Sequence, residues 1–156
     1  MSRRKIVTKS FSITDPTYNS YLVTLLLVRI LSKGKKTLSQ KNLQDSFTLI
    51  QYKTNLNPIE TFEKAVKQVM PSVEVKSRRI GGANYQVPVE VKPFRGTNLA
   101  LRWIIQSAKK RSGHTFSVNL ANEIIDAANG SGESIKKKIE THRMAKANKV
   151  FSHFQY

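Results

Sequence analysis

The chain has no cysteine in its 156 residues. That excludes a disulfide framework, a thiolate metal centre and a cysteine nucleophile. Histidine is nearly as scarce: only His114, His142 and His153 are present. None has a carboxylate or second histidine at helical ligand spacing; Glu140, two residues before His142, falls on a different face. No metal and no cofactor are therefore expected. The most apolar stretch, Tyr21 to Leu31, is interrupted by Thr24 and Arg29 and is too short to span a bilayer. No apolar leader with a small-residue cleavage site opens the chain, so a soluble protein without a targeting segment is expected. No glycine loop precedes a lysine and a hydroxyl residue between strand and helix. Glu123 and Asp126, three apart, read either as an acid pair or as a solvated helix surface, and the solvated surface is preferred. A catalytic site is not expected.

Acidic residues are also few, with Asp and Glu totalling 10 against 27 Lys and Arg, a formal net charge of +17. Such an excess opposes compact folding by self-repulsion and favours association with polyphosphate through counterion release. Nucleic acid is the expected partner. An anionic membrane is disfavoured because the cations are spread over loops and several predicted elements rather than gathered on one amphipathic helix.

The length suits one domain. Residues 1–14 carry Arg3, Arg4, Lys5 and Lys9 without an acid before Asp15, as an extended basic arm would. Asp15-Pro16 marks the entry to a first helix, with Asn19 or Ser20 as the alternative cap, Leu22, Leu25, Leu26 and Ile30 on one face and Gly34 as its stop. Thr37-Leu38-Ser39-Gln40 fits a capping box for a second helix carrying Leu43, Phe47 and Ile50 to about Tyr52. Asn57-Pro58 starts a third, with Phe62, Val66 and Val69 inward and Pro71 ending it. Thr97 or Asn98 caps a fourth that carries Leu101, Ile104, Ile105 and Ala108 and closes at Lys109-Lys110-Arg111. Thr115 opens a fifth, and a sixth runs from Glu133 or Ser134 to about Asn148 with Ile135, Ile139 and His142 inward.

Between the third and fourth helices, residues 72–91 alternate apolar and polar residues in two arms hinged on Gly81-Gly82. This predicts a two-stranded ribbon with a tight turn. Val73, Val75, Val87, Val89 and Val91 are expected on its apolar face, and Lys76, Arg78 and Arg79 crowd the turn. The expected fold is mainly α: one domain of about six helices with a protruding ribbon and a C-terminal tail over 149–156. Two partners remain open. A cationic ribbon fits an architectural DNA binder, whereas Tyr85, Trp103, Phe151, Phe154 and Tyr156 can stack on unpaired bases of RNA. Trp103, beside Arg102 and turned from Leu101 and Ala108, is either core or an RNA platform.

The stretch from Val73 to Gly82, with Tyr85-Gln86-Val87-Pro88-Val89-Glu90-Val91, resembles the small-ribosomal-subunit protein seven family. The resemblance extends to Leu99-Ala100-Leu101-Arg102-Trp103, Leu120-Ala121-Asn122-Glu123 and the segment from Thr141 to Lys149. It implies binding to the 3′ major domain of small-subunit ribosomal RNA and early organisation of the head. It further implies head and platform proteins as neighbours, with the ribbon near exit-site transfer RNA and the messenger exit path. The RNA-contacting candidates carried over are Arg3, Arg4 and Lys5 in the arm, Lys35 and Lys36, and Lys76, Arg78 and Arg79 on the ribbon. Arg95, Arg102, Lys109, Lys110 and Arg111 follow, then His142, Arg143 and Lys146; Trp103 joins them as the stacking candidate. The segment from Asp126 to His142 is most like plastid-encoded members, which implies the chloroplast stroma, with bacterial cytoplasm as the alternative.

Overall fold

The computed structural model describes residues 14–155, with side chains to Ser152. Its order is α1 (Tyr21–Ile30), α2 (Lys36–Thr54), α3 (Pro58–Val69), β1 (Val73–Ile80), β2 (Ala83–Glu90), α4 (Pro93–Lys110), α5 (Phe116–Ala128) and α6 (Glu133–Ala147). A short 3-10 helix, η1, covers Lys149–Gln155. Six helices and an inserted two-stranded ribbon are what the periodicity predicts. The basic arm, with Arg3, Arg4 and Lys5, lies outside the described residues apart from Thr14.

The core gathers one stripe from each of the first five helices. Leu26 of α1, Leu43 and Phe47 of α2, Phe62 of α3, Ile104 of α4 and Leu120 and Ile124 of α5 are almost wholly buried. Phe47 stands at its centre, edge-on to Tyr18 at 5.0 Å and tilted against Phe62 at 5.9 Å. Such a ring cluster fastens the chain entry to α2 and α3 beyond what area burial alone provides. α4 approaches the end of α3 so closely that a Cβ on Gly96 would lie 2.7 Å from Met70 Cγ. A larger residue there would have to displace the Met70 side chain.

Several boundaries and faces differ from the sequence expectation, each for a local reason. Asp15 does not open α1: its carboxylate accepts from the Thr17 and Tyr18 amides, both at 3.1 Å, and closes a separate turn, so Ser20, the alternative, is the N-cap. α1 buries Val23 and Leu27 with Leu26 and Ile30, leaving Leu22 and Leu25 half-buried. The expected capping box of α2 is not formed. Lys33 and Gly34 both adopt positive φ, the Lys36 amide donates to the Gly34 carbonyl, and the helix begins at Lys36 before Thr37 can cap it. α4 likewise starts at Pro93, whose fixed φ suits the first helical position, so Thr97 and Asn98 lie inside the helix. Ile139 of α6 is 61% exposed rather than inward.

The ribbon has the predicted tight turn, Gly81 at φ 56° and Gly82 at φ 89°. Its register pairs Ile80 with Ala83, Val75 with Pro88 and Val73 with Glu90. Directly paired residues share a face. Val73 and Val75 therefore lie on one face while Val87 and Val89 lie on the other with Lys76 and Glu74, and the single apolar face expected from the sequence does not exist.

Glu123 also departs from expectation. It is fully buried, and its carboxylate accepts from Arg111 Nε at 2.8 Å, from the Ser134 amide at 2.9 Å and from Ser134 Oγ at 2.6 Å. Arg111 also pairs with Asp126. One carboxylate thus joins the end of α4, the middle of α5 and the first turn of α6, where negative charge also suits the helix dipole. Removing one partner of such a buried pair strands the rest. Glu123→Ala is expected to lower unfolding free energy by about 3 kcal/mol in denaturant titrations. A loss below about 1 kcal/mol, the scale of an exposed ion pair, would show that the node carries little.

Candidate nucleic-acid interface

The fold brings the cations together at the C-terminal end of α4. Lys109, with Lys33 and Lys35 from the α1–α2 connection, lines a groove floored by Ile30, Leu38 and Phe116, and no acid is among its lining residues. The neighbouring Lys110 opens instead onto a second groove, shared with Lys136, Lys137 and Arg143 of α6. There Glu133 and Glu140 are paired with Lys136 at 2.5 Å and Lys137 at 2.7 Å, contacts that hold both carboxylates below their ordinary pKa. Two consecutive lysines thus join two grooves into one cationic band. The groove along α3 differs, because Glu60 and Glu63 balance Lys64 and Lys67.

Not every predicted contact residue lies free on this band. Arg111 is turned inward to Glu123 and Asp126; burial opposes its charge, but the hydrogen bonds from those carboxylates outweigh it and raise its pKa. Arg95 is half-exposed and donates through Nε to both Glu74 oxygens at 2.8 Å, which docks α4 on β1. Trp103 is partly buried against the core cluster, closer to the core reading than to an open platform. Arg102 is exposed; burial, and after it the Arg102 charge, lowers the pKa of Arg29, whose guanidinium donates to Asn98 and to the Leu25 carbonyl. Lys36, Arg143 and Lys146 are exposed. Lys33, Lys136 and Lys137 were not singled out from sequence, although each stands within a run of lysines that marked it.

The ribbon is held by the C-terminal elements. Lys138 and His142 are four apart and so share a face of α6. Lys138 Nζ donates to the carbonyl of Gln68 in α3 at 2.6 Å, fixing α6 beside the ribbon base, and His142 Nε2 accepts from the Ser72 amide at that base at 3.2 Å. On the strand face shared by Arg78 and Val87, Tyr85 packs against Phe151 of η1 at 5.3 Å. Phe151 is therefore a packing residue here, while the side chains of Phe154 and Tyr156 lie outside the described residues. Lys76 is half-exposed, 3.4 Å from Glu74, and Arg79 is exposed near the turn on the face opposite Arg78.

Among the described residues no group of histidines and carboxylates could hold a metal, and no helix is long and apolar enough to cross a membrane. The arrangement defines a basic helical domain presenting a cationic band and a fastened ribbon. Residues 2–149 match the family described as ribosomal protein S7p/S5e, and the chain belongs to that family. It is similar to small ribosomal subunit protein uS7 of Gloeothece citriformis, 53% identical over 156 residues and 100% of both chains. It is also similar to small ribosomal subunit protein uS7c of Trieres chinensis, 58% identical over 144 residues, 92% of this chain and 91% of the relative. The uS7 of Thermosynechococcus vestitus is 48% identical over 156 residues, again 100% of both chains.

His142 supplies a pH test. Burial, then Lys138, lower its pKa from the ordinary 6.5. A depressed imidazole pKa favours the neutral ring in the folded state, so its contribution is complete above 6.5 and is lost as pH falls through the lower folded value. The protonated ring cannot accept from Ser72. Wild type should therefore lose stability relative to His142→Gln as pH falls from neutral, measured as the difference in melting temperature. A pH-independent difference would show that the ring does not act as an acceptor.

Proposed function

We propose that this chain is a structural constituent of the small ribosomal subunit that binds the 3′ major domain of its ribosomal RNA and organises the head. The observation that carries this reading is the band joined by Lys109 and Lys110, on a chain of a ribosomal protein family. Cations outnumber acids along both grooves: Lys136 and Lys137 have glutamate partners, but no acid is among the residues lining the groove of Lys33, Lys35 and Lys109, and phosphate relieves the repulsion that remains. Lys35, Lys36, Arg102, Lys109, Lys110, Arg143 and Lys146 are the contacts assigned to it within the described residues. The arm cations Arg3, Arg4 and Lys5 add to them. Arg95 and Arg111, committed to Glu74 and Glu123, act by holding elements in place, and His142 does the same for the ribbon base.

In this reading Lys76, Arg78 and Arg79 carry the ribbon toward exit-site transfer RNA and the messenger exit path, with head and platform proteins beside it. The likeness to the uS7c of Trieres chinensis supports a plastid ribosome in the chloroplast stroma, and the likeness to the uS7 of Gloeothece citriformis fits the alternative, a bacterial cytoplasm, equally well. Co-sedimentation with small subunits from isolated plastids tests that placement.

Affinity for the 3′ major domain should fall about a thousandfold or more between about 50 mM and about 200 mM salt, the consequence of roughly six to ten phosphate contacts. A flat salt titration contradicts the reading. Equal competition by random duplex DNA would favour an architectural DNA binder instead. Arg79→Ala should change stability by less than about 0.5 kcal/mol, since the residue is exposed. Subunits carrying it together with Arg78→Ala should assemble more slowly or hold exit-site transfer RNA less well. Parental assembly and retention would make the tip merely structural.

A further inference from the structure

We propose that the groove between the α1–α2 connection and the end of α4 is a receptor for one unpaired nucleobase of a bound RNA strand, an inference that rests on the ribosomal RNA reading above. Its volume is about 380 Å3, within the range of small-ligand sites. Lysines alone would serve for a duplex backbone. This groove has in addition an apolar part to its lining, made of Ile30 from the core edge, the half-buried Phe116 and Leu38, which is 51% exposed.

Leu38 is the informative residue. It stands on the first turn of α2, contributes to no buried core cluster and leaves half its surface to water in a groove that it lines together with Lys33, Lys35 and Lys109. The rim lysines Lys33, Lys35 and Lys109 find no carboxylate among the lining residues, so nothing in the groove neutralises them. A nucleotide answers both features at once. The face of its base covers Leu38 and Phe116, and its flanking phosphates meet the three ammonium groups. The polar wall suits the same ligand: Asn42 has its oxygen engaged by Ser117 Oγ at 3.3 Å, which leaves the amide NH2 to donate to a base edge. A peptide side chain would satisfy the apolar lining but not three cations, and inorganic phosphate would satisfy the cations but not Leu38.

The test uses the full chain, a five-residue single-stranded RNA and a stabilised abasic analogue of equal charge. Nuclear magnetic resonance follows the Leu38 methyls and the Phe116 ring. They should respond to the RNA at about tenfold lower concentration than to the abasic strand, the increment of stacking one base. Leu38→Gln, at a half-exposed position, should melt like the parent, still bind both strands and lose the tenfold difference. Equal response to both strands, or a difference that survives Leu38→Gln, overturns the proposal. If the ribosomal RNA domain still binds with steep salt dependence in that case, only the base receptor falls. If that dependence is absent as well, the RNA reading beneath it falls too.

Discussion

The buried contact of Glu123 with Arg111 and Ser134 is the constraint on which the functional surface depends. A chain with net charge +17 must hold its cations side by side against their mutual repulsion. Here the end of α4 and the start of α6, which carry Lys109, Lys110, Lys136 and Lys137, are locked to α5 by a single carboxylate. The node lies inside, where salt screens it little. Scarce acids are used accordingly. Glu123 and Glu74 are buried and engaged with arginines, and Asp15 closes a turn, so these three carboxylates organise the fold, while Glu133 and Glu140 offset surface lysines.

A second consequence concerns the ribbon. Two antiparallel strands alone are marginal in water, and this pair has no continuous apolar face to lay on a core. It is stabilised from both sides instead: by Arg95 of α4 on Glu74 of β1, by His142 of α6 on Ser72 at the ribbon base, and by Phe151 of η1 on Tyr85 of β2. The C-terminal elements therefore set where the ribbon sits. The cations proposed to meet RNA are held in a common frame by contacts made within the protein.

The helices were legible because their apolar positions recur at helical spacing, and the ribbon was legible from paired glycines between alternating arms. Which residues face the core along α1 was less so, since a run as apolar as Leu25-Leu26-Leu27-Val28 supports several faces and packing selects among them. The ribbon face was in principle calculable: a two-residue turn pairs Ile80 with Ala83, and counting outward sets Val75 against Pro88. Each arm was read alone, so the two valine sets were merged. Glu123 and Arg111 misled for a different reason. Their partners are 11 and 12 residues away across a loop, and local charge spacing contains no sign that an apparently surface-type acid and arginine turn inward together. The same tertiary information separates Lys109 and Lys110, adjacent in sequence, into two grooves.

The central claim is that one cationic band, and not the charge of the chain at large, meets ribosomal RNA. Lysine acetylation of the protein, free and bound to the 3′ major domain, tests this residue by residue with mass-spectrometric readout. Lys33, Lys35, Lys109, Lys110, Lys136 and Lys137 should become protected on binding, while Lys64 and Lys67 on the charge-balanced face of α3 stay reactive. Protection spread evenly over all lysines, or concentrated on α3, would contradict the account.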